Sequence, residues 1–249
     1  SVGTLADAIN TKSLGSTLNA TAGSGGSFLD EADAATIGTV TTTGAGNIKI
    51  QNLAAGTLSS SGVVSSTGAG TIDLLSLGAL SLGANVTTVN AAVTLAADTD
   101  GNGLAAEKFE QTAGTISSGG GTVGITVGTA GGGVGGAELR AINAGAGTLT
   151  VTSHAGSIIE QASGVSLLTS SNTIALKAGE TTKGTTSVGT LADAINTQSS
   201  GAGTINATAG SGGIFIDEAD AGIIGTVTTT GAGNIKIQNR AAGTLSSSG

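Results

Sequence analysis

The sequence contains a long internal repeat. The fifteen residues from Gly38 to Asn52 read GTVTTTGAGNIKIQN, and they recur unchanged 187 positions later, from Gly225 to Asn239. Self-similarity at a fixed period is typical of solenoids and arrays, in which each unit packs on the next. We therefore expect residues 1–187 to form one long repeat of seven coils, with residues 188–249 beginning the next in one continuous solenoid, and the chain to be a segment of a longer repetitive protein.

The composition favours a regular all-β stack over a disordered chain. The sequence has 45 Gly and no Pro, Cys, Met, Trp or Tyr, with 10% charged residues and a mean hydropathy of +0.31. Disordered chains combine low hydrophobicity with high net charge, which is the opposite pattern. The net charge of −8, with scattered basic residues, predicts no nucleic-acid binding. No apolar run approaches the roughly 20 residues needed to span a bilayer, so we expect no membrane span.

A shorter period of about 27 residues runs inside the long repeat. A recurring phrase, roughly G-A-G-[TN] followed by an apolar residue, starts a strand. Alternation of apolar and polar residues after this point, as at Ile48 and Ile50, indicates a strand with one buried face. We expect the first apolar residues to form one inward column: Leu18, Ile48, Ile72, Val93, Val123, Leu149, Ile174, Ile205 and Ile235.

Each unit carries three short strands with small residues at the corners. In one unit they run from Leu149 to Ser153, from Gly156 to Gln161 and from Val165 to Ser170. A proline would remove a ladder hydrogen bond from any coil, so its absence suits a continuous stack. These features predict an all-β right-handed parallel β-helix of about nine coils. A β-sandwich array and an antiparallel bundle are the alternatives.

The repeat style resembles that of a known family of proteins. The phrases GAGTLTVTSHAGSIIEQASG, GSGGIFIDEADAGIIGTV and GAELRAINAGAGTLTV resemble giant bacterial surface proteins with filamentous-haemagglutinin-like β-helical repeats. The resemblance covers nearly the whole chain. It implies an elongated rod that is exported across the outer membrane and serves in adhesion or extracellular structure.

One loop has the spacing of a calcium site. In DTDGNG, Asp98, Asp100 and Asn102 stand at the first, third and fifth positions of an EF-hand-type loop, followed by Gly103 at the sixth. The twelfth position, where a bidentate Glu is expected, is Phe109, with Glu107 and Glu110 on either side. The motif predicts a calcium site, and we expect that the protein requires no cofactor. A solvated Gly/Asp corner loop is the alternative.

A second group of carboxylates recurs near the second strand of successive coils. If the coils are in register, these side chains form an acidic stripe on one outer face that could recruit divalent cations. The alternative is that loop insertions stagger them and water screens the charges. The members of the stripe are Glu110, Glu138, Glu160, Asp193 and Asp217.

Three further motifs are explained best by the coil itself. The helicase-like DEAD at Asp30 is repeated at Asp217 and lacks an accompanying phosphate loop. The single histidine, His154, has no distinct nucleophile in the sequence and is interpreted as a turn residue. The TVTT segments at Thr39 and Thr226 do not recur in enough coils for an ice-binding ladder.

The leading hypothesis for function is a structural or adhesive extracellular rod without catalysis. Its expected partners are further copies of itself, end to end through open strand edges or side by side, and a host or neighbouring cell surface. A calcium-binding surface module is the second hypothesis. A β-helical carbohydrate-active enzyme is the third, disfavoured because Trp and Tyr platforms for sugars are missing from the sequence.

Overall fold

The computed structural model describes residues 1–102, 107–130, 132–164, 166–182, 184–240 and 243–248. Gly103 of the calcium motif and Val165 of the expected third strand lie outside the described residues. The 27 strands are β1 Ile9–Thr11, β2 Thr17–Ala22, β3 Ser27–Glu31, β4 Ala35–Thr42, β5 Ile48–Asn52, β6 Leu58–Ser60, β7 Val64–Ser66, β8 Ile72–Ser76, β9 Leu80–Leu82, β10 Val86–Thr87, β11 Val93–Ala97, β12 Phe109–Gln111, β13 Thr115–Ser117, β14 Val123–Val127, β15 Ala137–Leu139, β16 Ala141–Asn143, β17 Leu149–Ser153, β18 Ile158–Glu160, β19 Leu167–Thr169, β20 Thr173–Ala178, β21 Ser187–Val188, β22 Ile195–Gln198, β23 Thr204–Ala209, β24 Gly213–Glu218, β25 Gly222–Thr229, β26 Ile235–Asn239 and β27 Leu245–Ser247.

The strands form a right-handed parallel β-helix of about ten turns, which confirms the predicted fold class. Pairing between the strands is parallel throughout. Rungs about 4.8 Å apart give a stack roughly 48 Å long. The described residues contain no helix long and apolar enough to cross a membrane.

Two sheets enclose the core. Sheet A has eleven strands, one from each rung, in the order β1-β3-β5-β8-β11-β14-β17-β20-β23-β25-β27. Sheet B has two arms in the middle coils: arm 1 runs β6-β9-β12-β15-β18-β21, and arm 2 runs β7-β10-β13-β16-β19-β22. The long strands β4 and β24 pair with both arms and join them at the two ends. The middle coils therefore have the predicted three strands.

The expected inward column forms over seven consecutive rungs of sheet A. Its members pair directly with one another and are at most 1% exposed, so each contributes about 1.5–3 kcal/mol of hydrophobic stabilisation. They are Ile48, Ile72, Val93, Val123, Leu149, Ile174 and Ile205.

The two outer members of the expected column lie elsewhere, which corrects the prediction. Leu18 pairs with Ile37 in sheet B, and Ile235 pairs with Ile214, also in sheet B. The coil from Leu18 to Ile37 is shorter than the middle coils, because the single strand β4 replaces two strands and their corner. The stretch of sequence from Leu18 to Ile48 contains this whole short coil, so the two residues lie in different sheets.

The long repeat consequently ends half a turn out of phase. Strand β2 lies in sheet B, but its equivalent 187 residues later, β23, lies in sheet A; β3 and β24 are exchanged in the opposite sense. Seven steps of sheet A separate β3 from β23, and β2 precedes β3 by about half a turn. One long repeat thus spans about seven and a half turns. The same amino acids face opposite sides of the stack in consecutive repeats.

Glycines at the corner between arm 2 and sheet A allow the coils to approach. A Cβ atom added to Gly147 would overlap the carbonyl oxygen of Gly121 in the preceding coil, and one added to Gly70 would overlap that of Gly46. Buried hydroxyls also bind these corner carbonyls, as where Thr42 Oγ1 donates to Gly46 O at 2.6 Å. The recurring G-A-G phrase is therefore explained by close backbone stacking.

We predict that Gly147→Ala destabilises the fold by about 1–3 kcal/mol, because the new methyl group must displace the backbone of the preceding coil. Gly124→Ala is the matched control, since a Cβ there meets no atom within 4 Å. Because Gly124 lies within β14, this control should be neutral or stabilising by up to about 1 kcal/mol. Urea unfolding of the two variants tests the prediction; equal stabilities would contradict it.

Candidate functional site

The most distinctive polar cluster lies where two corner loops of adjacent coils meet. Asp98 directly follows β11, and Glu107 lies just before β12, so both stand at the base of the same corner loop together with Asp100. One carboxylate oxygen from each of the three residues lies within 4.8 Å of the others. Asp98 and Glu107 are buried, whereas Asp100 is exposed. The cluster is thus accessible to solvent from the side of Asp100.

The next coil covers the Asp98 carboxylate with glycines. An added Cβ at Gly133 would lie 2.5 Å from Asp98 Oδ2, and one at Gly128 would lie 3.5 Å from the same atom. Asp98 itself adopts a left-handed backbone conformation, with φ of 52°. The glycine-rich loop of the next coil, at Gly128 and Gly133, therefore leaves room for a buried carboxylate.

The buried oxygens of this cluster lack the partners that buried carboxylates normally have. Both oxygens of Asp98 and Oε2 of Glu107 accept no hydrogen bond within the described residues. Burial, followed by the negative charges of Glu107 and Asp100, raises the pKa of Asp98 from its ordinary 3.8 to about 6. Burial and the charge of Asp100 likewise raise the pKa of Glu107.

The structure brings together part of the predicted calcium loop. Asp98 and Asp100 share the cluster, and Asn102 donates from its backbone N and from Nδ2 to the two Asp100 oxygens, at 3.2 and 3.1 Å. Phe109, at the twelfth position, is fully buried in the core. Glu107 supplies the third carboxylate instead. Spacing alone did not select Glu107, because the twelfth position is occupied by the buried Phe109 and Glu107 is the carboxylate that lies close to Asp98 and Asp100.

The first two members of the acidic stripe are neighbours on arm 1. Glu110 and Glu138 pair across adjacent rungs, and Lys108 lies between them. Its Nζ atom is 2.6 Å from Glu138 Oε1 and 3.7 Å from Glu110 Oε1. These carboxylates raise the pKa of Lys108 despite its partial burial. Lys108 therefore supplies the counter-charge here, whereas Arg140 Nη1 donates to Gln161 Oε1.

The remaining members of the stripe leave this line. Glu160 pairs with Leu139 rather than Glu138, is buried, and accepts a hydrogen bond from Asn196 Nδ2 at 2.8 Å. Asp193 lies in a turn, where it accepts from Ser163 Oγ at 2.9 Å. The alternative of staggered residues thus describes the outer face better than one continuous line, and cation binding by Glu110, Glu160, Asp193 and Asp217 stays a prediction.

An open polar groove of about 240 Å³ lies beside β24. Asp217, 4% exposed, forms an ion pair with Arg240 at its edge. The repeat-equivalent position of Arg240 is Leu53, so this pair distinguishes the second repeat from the first. Polar and charged residues lining the groove are Ser163, Asp193, Asn196, Asp217, Lys236 and Arg240.

The duplicated DEAD motifs have a structural role that the sequence interpretation did not identify. Glu218 is fully buried; its Oε2 accepts from Thr197 Oγ1 at 2.7 Å, and its Oε1 accepts from Ser199 N at 2.9 Å. Glu31 makes the equivalent bonds with Thr11 and Ser13 in the first repeat. These glutamates join adjacent coils at a corner. Their unchanged recurrence at an offset of 187 was the available signal.

His154 contacts a threonine hydroxyl at a corner of the stack. His154 is half-buried at a corner, and its Nδ1 lies 3.0 Å from the Thr181 hydroxyl of the next coil. A polar ladder runs from β4 along arm 2, where Thr41, Ser65, Thr87 and Ser117 stand in register. This ladder lies on the third strand of each coil, so the pattern of the leading strand does not predict it.

Comparisons of the chain with protein-family models, with curated proteins and with solved structures found no match. The assignment to the β-helical class therefore rests on the strand register itself.

The raised pKa of Asp98 predicts a specific pH dependence in the presence of a chelator. A carboxyl group whose pKa is raised on folding stabilises the fold below pH 3.8 and loses that contribution as pH rises through about 6. The wild-type chain should therefore lose up to about 3 kcal/mol relative to Asp98→Asn between pH 4 and 7. Urea unfolding with EDTA at each pH measures the difference; a constant difference would contradict the prediction.

Proposed function

We propose that this chain is a segment of an extracellular structural or adhesive rod of the filamentous-haemagglutinin-like kind, and that it has no catalytic activity. The observation that carries the proposal is the uninterrupted parallel ladder of sheet A, in which each rung pairs only with its neighbours. Stability in such a stack accumulates along one dimension, so the architecture produces length and a repetitive surface.

One face of the rod is suited to contact with other surfaces. The short strands of arm 2 contain no charged residue, although the whole chain has a net charge of −8. Their outward side chains form a hydroxyl and amide ladder; for example, Thr87 Oγ1 donates to Ser65 Oγ at 3.0 Å. Like-charged rods repel one another least where both faces are uncharged. Arm 2 is therefore the proposed face for side-by-side association between copies.

The long repeat also affects the outer surface of the stack. Strands that are equivalent by the repeat lie in different sheets, such as β2 in sheet B and β23 in sheet A. In a protein with consecutive long repeats, the half-turn offset would present the arm 2 type of surface alternately on opposite sides of the rod.

The surface proposal can be tested with charge-matched variants. Thr87→Glu/Ser117→Glu places two negative charges on arm 2, and Thr94→Glu/Thr150→Glu places the same charges on sheet A. We expect the arm 2 variant to reduce lateral bundling in negative-stain microscopy, and the adhesion of coated beads to cultured cells, by at least about fivefold, because like charges become apposed.

The sheet A variant should stay within about twofold of wild type, and circular dichroism should show that both variants are folded. Equal bundling and adhesion of both variants would contradict arm 2 as the contact face. Release of reducing sugars from polysaccharides by the wild-type chain would contradict the non-catalytic role and support the carbohydrate-active alternative.

A further inference from the structure

The cluster of Asp98, Asp100 and Glu107 is electrostatically incomplete. Three carboxylates converge within 4.8 Å, and the adjacent Lys108 directs its ammonium group to Glu138 and Glu110. Removing an ionised carboxylate from water costs several kcal/mol unless a partner compensates it. Both Asp98 oxygens are nevertheless buried without a hydrogen-bond partner among the described residues. The described residues thus hold three carboxylates close together, while the adjacent lysine is paired with other carboxylates.

The dimensions of the cluster fit a hard divalent cation. Calcium binds carboxylate oxygens at about 2.3–2.6 Å, so two oxygens on opposite sides of one ion are about 4.6–5.2 Å apart. The three carboxylate oxygens fall within this limit, at 4.8 Å or less. Calcium accepts six to eight oxygens in flexible geometry and water can complete its shell, whereas magnesium demands a near-ideal octahedron. The exposed side at Asp100 gives access for the ion and its waters.

We propose that Asp98, Asp100 and Glu107 bind one calcium ion that fixes the base of the corner loop. The ion would connect the end of β11 to the approach to β12, since Asp98 and Glu107 flank the loop. It would also support the contact with the glycine-rich loop of the next coil, which covers Asp98 at Gly133. This inference is independent of the rod's proposed surface role.

Isothermal titration calorimetry with calcium chloride on the chelator-treated 249-residue chain tests the proposal. We expect one ion per chain, and a rise in the thermal midpoint with calcium, because binding to the folded state alone shifts the folding equilibrium. Magnesium chloride should bind at least about tenfold more weakly. No heat and no change in the midpoint with calcium would overturn the proposal.

Variants locate the ion. Asp98→Asn and Glu107→Gln should each weaken calcium binding by at least about tenfold, since each removes a charged ligand. The matched controls Asp7→Asn and Glu180→Gln, at exposed positions, should stay within about twofold of wild type. Unchanged affinity in Asp98→Asn would place the ion elsewhere and refute the site.

A readout without calcium separates ligation from a purely structural role. In EDTA at pH 7, Asp98→Asn removes one of three crowded charges, so its thermal midpoint should equal or exceed that of wild type. Adding calcium should then raise the wild-type midpoint and leave that of the variant unchanged. A variant that is less stable than wild type in EDTA, with the same calcium response, would show that Asp98 acts only in packing.

Discussion

The close parallel stacking of coils at about 4.8 Å is the constraint on which the other features of this protein depend. It requires a hydrogen-bonded neighbour for every strand backbone, which suits a sequence without proline. It also brings corner backbones so close that Gly70 and Gly147 have no space for a side chain. Corners without that restriction can carry insertions, and the Asp98 loop is one of them.

The middle of the fold could be predicted from the sequence because local alternation and stacking register agree there. Each coil from Ile48 to Ile205 has its first apolar residue in a strand of sheet A, and that residue pairs with its equivalent in the next coil. At the ends, a long strand such as β4 takes the place of two short ones, with one irregular step between Ile37 and Val40. Period alone cannot distinguish these cases, which is why Leu18 and Ile235 were assigned to the wrong sheet.

The candidate site could be predicted only in part, for a different physical reason. Asp98 and Asp100 were visible from their spacing, since alternate acidic residues in a Gly-containing loop are typical of oxygen ligands. Glu107 depends on where the loop returns, and the burial of Asp98 depends on Gly133 in another coil. Glu160 does not continue the predicted acidic stripe, because it pairs with Leu139 instead of Glu138. A change of register by one residue turns a strand side chain to the other face of the sheet.

The in-register parallel stack is the central claim, and one distance tests it most directly. The chain has no native cysteine, so spin labels can be placed at Lys49→Cys and Ala175→Cys, outward positions of sheet A five rungs apart. Double electron–electron resonance should give a narrow distribution centred near 24 Å, from five steps of about 4.8 Å, broadened by the label linkers. A broad distribution, or a centre beyond about 40 Å, would contradict the stacked register.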